Sequence, residues 1–388
     1  MGTVAGSGFS RADDAIRAGR SVAHEALEQL DGEMPDVLFV FTTDRYNQQE
    51  LLRSIRQVAG DVPLIGCCTG GVIGPDGTSS DGVSLLALGG GISVLLASAL
   101  GVRNAGSLAG NQASRPIAAE LNPTEERNSA VVMLGDGLTG TLTEVVAGAA
   151  GVLGTNAHLV GGGAGDNLKF LRTSQLVGDQ VLEDAVALGL LRSPGPIGVG
   201  VRHGWTPVSQ PLRVTHSEGN VLYELDGRPA FEAYRELFPD ARLTEENFSA
   251  FVMGHPIGMP QPGGEFLIRD PLRVRPNGAL ECVASVPEGV SAQIMCGDQA
   301  SLFAAAQAAA RAAVEQLGGR KPAGVLIFDC VSRLLMLGSE ASTEVSLIRD
   351  VVGRDTPVAG MFSFGEIAAA ADGRPVLHNK TVVVCAFG

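Results

Sequence analysis

The sequence predicts an α/β protein of mixed sheets flanked by helices, built from a roughly three-fold repeated helix-strand-helix-strand unit. Three observations lead there. Apolar strand-like runs alternate with stretches of helical periodicity along most of the chain. The second strand of each unit runs into a glycine-rich stretch: "GCCTGGVIG", "GGGAGDN" and "FSFGEIA". The 388 residues are 45% hydrophobic with 52 glycines and only 5% aromatic, which suits a large aliphatic core and tight turns.

The first unit begins with helical spacing from Ser10 to Leu30, apolar at Ile16, Val22, Ala23, Ala26, Leu27 and Leu30. Strand "DVLFVFTTD", helix "QQELLRSIRQVAG" and strand "VPLIG" follow. Gly82 to Val102 is uncharged and long enough to span a bilayer, but Gly89, Gly90 and Gly91 divide it. It reads as two buried strands forming a hairpin that closes the unit. The second unit has a helix near Ser107 to Leu121, strand "SAVVMLGDG", helix "TLTEVVAGAAGVL" and strand "HLVG". "DAVALGLL" and "IGVGVRHGW" close it. The third has an alanine-rich helix from Asp298 to Leu317, strand "AGVLIFDCVSR", helix "STEVSLIRDVVG", strand "TPVAG" and a last strand "KTVVVCAFG". Arg202 to Gln299 breaks the pattern: alternating residues with Asp-Gly and Asn-Gly turns predict hairpins, and a helix near Pro229 to Leu237 starts the C-terminal half.

Charge and targeting signals narrow the function. The formal net charge of −14, with no Lys/Arg cluster, argues against nucleic acid and anionic membranes as partners. The N-terminal stretch lacks a basic start and an apolar core, so a cytoplasmic protein is expected. The six cysteines, Cys67, Cys68, Cys282, Cys296, Cys330 and Cys385, have no C-x-x-C spacing and are expected to be free thiols. No zinc-protease or covalent-haem motif surrounds His24, His158, His203, His216, His255 or His378, and no metal or cofactor is expected.

"GWTPVSQPLRVTHSEGNVLYELDGRPAFEAY" resembles the end of a FIST N-terminal domain. "FLIRDPLRV", "FDCVSR", "GMFSFGEIA" and "HNKTVVV" resemble successive motifs of the FIST C-terminal domain, and "GCCTGGVIG" and "GGGAGDN" match N-terminal ones. The resemblance implies an N-terminal domain over residues 1–228 and a C-terminal domain over residues 229–388. It further implies a sensory protein that binds a small molecule, with amino acids among the ligands. No kinase, cyclase or chemoreceptor segment accompanies these motifs, so output is expected through a separate signalling protein.

In an α/β sheet, ligands sit where loops converge at the C-terminal ends of strands. The candidate ligand-binding residues are therefore Cys67, Cys68, Thr69, Gly163, Asp166, Asn167, Arg269, Cys330, Arg333, Ser363, Glu366 and Asn379. Arg333 would take a carboxylate and Glu366 an ammonium, a pair that suits a zwitterion. Each has a plainer reading. Cys67 to Thr69 is small packing at a strand end, and Asp166 and Asn167 cap their own turn. Arg333 pairs with Asp329, Arg269 with Asp270, and Glu366 sits at a helix start. "GGGAGDN" fits neither phosphate-binding glycine motif. Two alternatives stay open: a thiol-dependent enzyme using Cys67, Cys68 or Cys330, and a non-covalent haem-binding gas sensor.

Overall fold

The computed structural model describes residues 2–121, 128–155, 158–370 and 372–388. Among these residues, three six-stranded sheets and one nine-stranded sheet form. The three six-stranded sheets share one strand order. Each centres on a parallel pair: Pro35–Thr42 with Leu64–Cys68, Ser129–Asp136 with His158–Ala164, and Gly324–Cys330 with Val358–Ser363. An antiparallel strand lies beside each pair: Val83–Gly89, Ala185–Arg192 and Val382–Phe387. Outside it runs a further strand: Val4–Ser10, Ser93–Leu100 and Ile197–Arg202.

The other edge of each sheet is supplied from a different stretch of chain. Hairpin Val72–Gly74/Gly77–Ser79, which follows Leu64–Cys68, pairs with Val358–Ser363 in the third sheet. Hairpin Gln175–Val177/Gln180–Leu182 pairs with Leu64–Cys68 in the first. Hairpin Glu366–Ala369/Pro375–His378 pairs with His158–Ala164 in the second. Three of the four sheets therefore hold strands from both sides of position 228.

Side-chain alternation places the core. Val37, Phe39 and Phe41 of the first sheet meet Ala130, Val132 and Leu134 of the second and Leu326 and Phe328 of the third in one shared interior. Phe41 and Phe328 meet edge to face at 5.8 Å. The intervening residues Leu38 and Val40 point outward beneath helices Ala15–Glu28 and Gln48–Ala59. The other two sheets are backed likewise by their own helices.

The first helix starts at Ala15, where the Asp14 side chain accepts from Arg17 N, and Val4–Ser10 ahead of it is a strand. Its buried stripe is Ala15, Ala18, Gly19, Val22, Ala23 and Ala26, and Ile16 faces solvent. The expected hairpin over Gly82 to Val102 does not form. Its two strands lie in different sheets, and Ser93–Leu100 is a partly exposed edge strand. Local sequence carries no information on which sheet a strand joins after a glycine turn.

Ile197–Arg202, expected to close the second unit, instead pairs with Val382–Phe387 in the third sheet, and residues 203–298 lie between it and helix Gln299–Glu315. They form the nine-stranded sheet with helices Ala230–Leu237 and Glu245–Val252, around a core that includes Tyr234 and Phe248. No helix of the described residues is long and apolar enough to cross a membrane.

Glycine sets the distance between helix and sheet. A Cβ at Gly200 would lie 1.8 Å from the Ala309 carbonyl oxygen, and one at Gly8 would lie 2.1 Å from that of Val22. Gly200→Ala must push helix Gln299–Glu315 off its strand, and urea unfolding should show a loss of about 1–3 kcal/mol. Gly151→Ala, at an exposed helical site with open space around it, should instead gain about 0.5–1 kcal/mol.

Candidate functional site

The three glycine-rich strand ends meet and lock together. Gly165 N donates to Cys68 O at 3.0 Å, Gly70 N to Phe362 O at 3.0 Å, and Gly163 N to Gly365 O at 2.8 Å. Thr69 Oγ1 is 2.6 Å from the Phe362 carbonyl and 3.0 Å from that of Gly71. The Phe364 ring fills the space beside Gly70 and Gly165, where a Cβ would collide with it. The convergence is thus packed solid by backbone and one aromatic ring.

The cavity lies next to it. About 390 Å³ opens between this junction and the inserted residues 203–298. Its apolar lining includes Leu138, Leu168, Phe170, Val331, Leu335 and Phe364 of the body, and Met253, Pro271 and Leu272 of the inserted segment. The polar wall holds Cys330, Ser332, Asp270 and Asn379. Asn379 Nδ2 donates to the His378 carbonyl, while its Oδ1 is buried without a hydrogen-bond partner. Asp270 is satisfied: Ser332 Oγ donates to Oδ2 at 2.8 Å, and Lys380 Nζ lies 3.2 Å from Oδ1.

Lys380 is fully buried, with φ of 52°. Its ammonium also donates to the Met253 carbonyl at 3.1 Å and lies 5.7 Å from the Trp205 ring centroid, while Trp205 Nε1 donates to its carbonyl. These contacts tie the last loop of the body to the inserted segment and hold an unfavourable backbone conformation.

Residues 36–228 match the FIST N domain, and residues 230–369 match the FIST C domain. The chain belongs to the FIST family. FIST domains are sensory, small-ligand-binding domains, often coupled to signalling proteins. An uncharacterized protein of Mycobacterium bovis is 32% identical over 204 residues, 51% of this chain and 52% of its own length. Another, from Mycobacterium tuberculosis, is 32% identical over 215 residues, 53% of this chain and 55% of its own length. The chain thus spans about half the length of these curated relatives. Among solved structures, a chorismatase covers 100% of this chain and 99% of its own at 8% identity, with a TM-score of 0.38. A cyanuric acid hydrolase from A. caulinodans covers 99% of each at 11% identity, with a TM-score of 0.39. Likeness this weak carries nothing about chemistry.

Of the FIST motif residues named from sequence, Cys330 and Asn379 reach the cavity wall. Ser363 and Glu366 are buried behind Cys330. Cys67 lies in the shared core, its thiol 3.6 Å from Met361 Sδ. The Cys68 thiol accepts from Ser174 N at 2.8 Å and edges a separate groove with Asp44, Tyr46 and Arg172. Gly163 and Thr69 serve the junction. The Asp166 carboxylate accepts from Phe170 N, Leu171 N and Arg172 N, so it caps its own loop. Asn167 bridges Asp44 N and the Ser80 carbonyl.

Arg333 and Glu366 do not form a zwitterion clamp. Arg333 is buried away from the cavity, with its Nε 3.0 Å from Asp329 and its Nη2 on Glu344, and it donates to the carbonyls of His203 and Leu302. The Asp329 contact is close but lacks hydrogen-bond alignment. Two carboxyl groups share one guanidinium, and burial beside Glu344 holds Asp329 well above the usual carboxylate range. Arg269 does not pair with Asp270. It donates to the carbonyls of Ser285, Ile268 and Leu377, and burial without a counter-ion lowers it to about 10.

Glu366 is held above the usual carboxylate range. Ser363 Oγ lies 2.7 Å from Glu366 Oε1 and 3.2 Å from the Asp329 carbonyl, and Thr381 N donates to Glu366 Oε2 at 3.1 Å. Burial outweighs these hydrogen bonds and pushes Glu366 up to about 8. A raised carboxyl binds its proton more tightly in the folded state. Stability is therefore lost as pH rises from about 4.5 to about 8, and then levels. Urea midpoints at pH 5, 7 and 9 should fall in that order, and Glu366→Gln should make the slope shallower. A slope unchanged by the substitution would contradict a raised Glu366.

The thiols give a second expectation. Cys67, Cys68, Cys282, Cys330 and Cys385 are buried, and burial raises each, with Cys68, Cys282 and Cys385 at about 12. Thiolate chemistry needs the opposite shift. Iodoacetamide at neutral pH should label the partly exposed Cys296 promptly, and the other five only after unfolding.

Proposed function

We propose that this FIST protein is a sensor whose small-molecule ligand occupies the 390 Å³ cavity between the three-sheet body and the inserted segment. One observation carries the reading: a ligand-sized, mainly apolar cavity is lined in part by Asn379, whose buried Oδ1 has no hydrogen-bond partner. The ligand is largely apolar and brings a hydrogen-bond donor to Asn379. The state of Arg333 and Glu366 favours this over an amino-acid zwitterion. A group touching Leu138 and Phe170 of the body and Met253 and Leu272 of the insert biases how the two sit together. That bias is the signal, read by a separate protein. A cytoplasmic setting suits six free cysteines.

Native beside denaturing mass spectrometry, followed by a thermal-shift panel of apolar metabolites with hydroxyl or amide donors, tests this. The expected result is a small mass lost on denaturation and a melting temperature raised by several degrees, since a hundredfold excess over Kd contributes about 2.7 kcal/mol. Leu335→Trp at the half-exposed mouth should abolish both effects while leaving the free protein's melting temperature nearly unchanged. A bare protein that no compound stabilises would sink the proposal.

A further inference from the structure

Two of the three six-stranded sheets close their outer edge with a glutamine. In the first, Ser7 N donates to Gln29 Oε1 at 3.1 Å, Gln29 Nε2 donates back to Ser7 O at 2.6 Å, and Phe9 N donates to Glu25 Oε2 at 3.0 Å. In the third, Val199 N donates to Gln316 Oε1 at 3.2 Å, and Gln316 Nε2 donates to Val199 O at 2.6 Å. Each glutamine ends the helix that follows its edge strand, Ala15–Glu28 and Gln299–Glu315. A side-chain amide copies the donor and acceptor of a neighbouring strand, so no further strand pairs there.

The second sheet lacks this cap. Which residues correspond is fixed at the glycine-rich junction, where Gly70 N donates to Phe362 O, Phe364 N to Gly163 O, and Gly165 N to Cys68 O. Cys68, Phe362 and Gly163 are therefore equivalent, and so are the residues beside them, Thr42, Asp329 and Gly135. Three residues earlier stand Phe39, Leu326 and Val132. Following the pairing outward from these leads to Ser7 in the first sheet, Val199 in the third and Leu96 in the second.

Leu96 thus directs its N–H and C=O away from the sheet, as Ser7 and Val199 do, and Val94 and Ser98 do the same. Among the described residues, none of these backbone groups has a partner on that side. The helix that follows, Val102–Glu120, ends on Leu121, whose side chain cannot hydrogen-bond. Leu95 and Ala97 also stand where the other edges have Gly6 and Gly8, or Gly198 and Gly200, so this helix cannot come as close.

We infer that Ser93–Leu100 pairs antiparallel with the same strand of a second copy of this chain, about a two-fold axis at Leu96. Its eight residues carry no charge and no proline, and Leu100 is 63% exposed. A molecule of net charge −14 repels its own copy, but self-pairing here sets Leu96 opposite Leu96, Val94 opposite Ser98 and Leu95 opposite Ala97, so no like charges meet. A two-fold pair also satisfies both open strands and then stops, where a one-sided partner would leave assembly unclosed. The two second sheets become one continuous sheet.

Sedimentation velocity of the full chain over a range of concentrations tests this, and the expected mass is that of two chains. Ser98→Lys, at an exposed site, puts a charge on the edge and should return a one-chain mass with an unchanged far-ultraviolet circular dichroism spectrum. Leu96→Cys in a Cys296→Ser background should form a disulfide-linked dimer on mild oxidation, because facing residues in such a pair lie about 5.5 Å apart at Cα. Ser98→Cys in the same background faces Val94 and should stay unlinked. A one-chain mass at every concentration overturns the inference, whether or not an added extended peptide binds the edge. A two-chain mass that survives Ser98→Lys, or linkage through Ser98→Cys instead of Leu96→Cys, overturns it as well.

Discussion

Three glycine-rich strand ends, hydrogen-bonded to one another through their backbones, are the constraint on which the rest of this molecule depends. Each loop leaves one sheet and delivers a hairpin to another, so the loops must pass within hydrogen-bond reach of a common point. Only residues with little or no side chain tolerate that approach, and a Cβ at Gly163 would stand 2.4 Å from the Phe364 carbonyl oxygen. The same crowding explains why the expected pocket is not at the convergence: there is no volume left there. Two cavities, of about 390 and 300 Å³, lie instead along the seam where the inserted residues meet the closed body.

That seam is where the buried polar groups gather. Lys380 and Asp270 neutralise each other across it, and Asp329, Arg333 and Glu344 form a sealed cluster behind it. Replacing both members of such a pair by apolar groups often costs little, whereas removing one leaves a stranded charge. These groups thus fix the geometry of the seam more than they stabilise the fold. Net stabilisation comes from the aliphatic interior shared by the three sheets.

The α/β class and most strand and helix positions were legible because their signals are local. Period-two and continuous apolar runs such as "DVLFVFT" and amphipathic stretches such as "QQELLRSIRQVA" are self-contained. The assignment of strands to sheets was not legible. Ser93–Leu100 and Val83–Gly89 are adjacent in sequence and apolar alike, and only tertiary packing separates them. Cys330 and Asn379, which line the cavity, stand in motifs that the sequence singles out. Lys380 and Asp270 were missed as a pair because 110 residues separate them. A signal was available: Lys380 is one of three lysines in the chain and stands in an otherwise uncharged run, "HNKTVVVCAF". Arg333 misled because a buried ion cluster and a ligand clamp call for the same residue types.

The exchange of hairpins also has a consequence for synthesis. The first sheet holds only strands up to Leu182, so it is complete early in translation. The second waits for Pro375–His378 and the third for Val382–Phe387. Val72–Ser79 and Ile197–Arg202 must therefore leave the ribosome long before their partners exist, with unpaired edges exposed. Strands Pro375–His378 and Val382–Phe387 decide whether two of the three sheets of the body close, so synthesis that stops before them leaves an open-edged intermediate. Cutting between the two family domains would do the same, since the N-terminal piece owns all the strands of the first sheet alone and the C-terminal piece those of none.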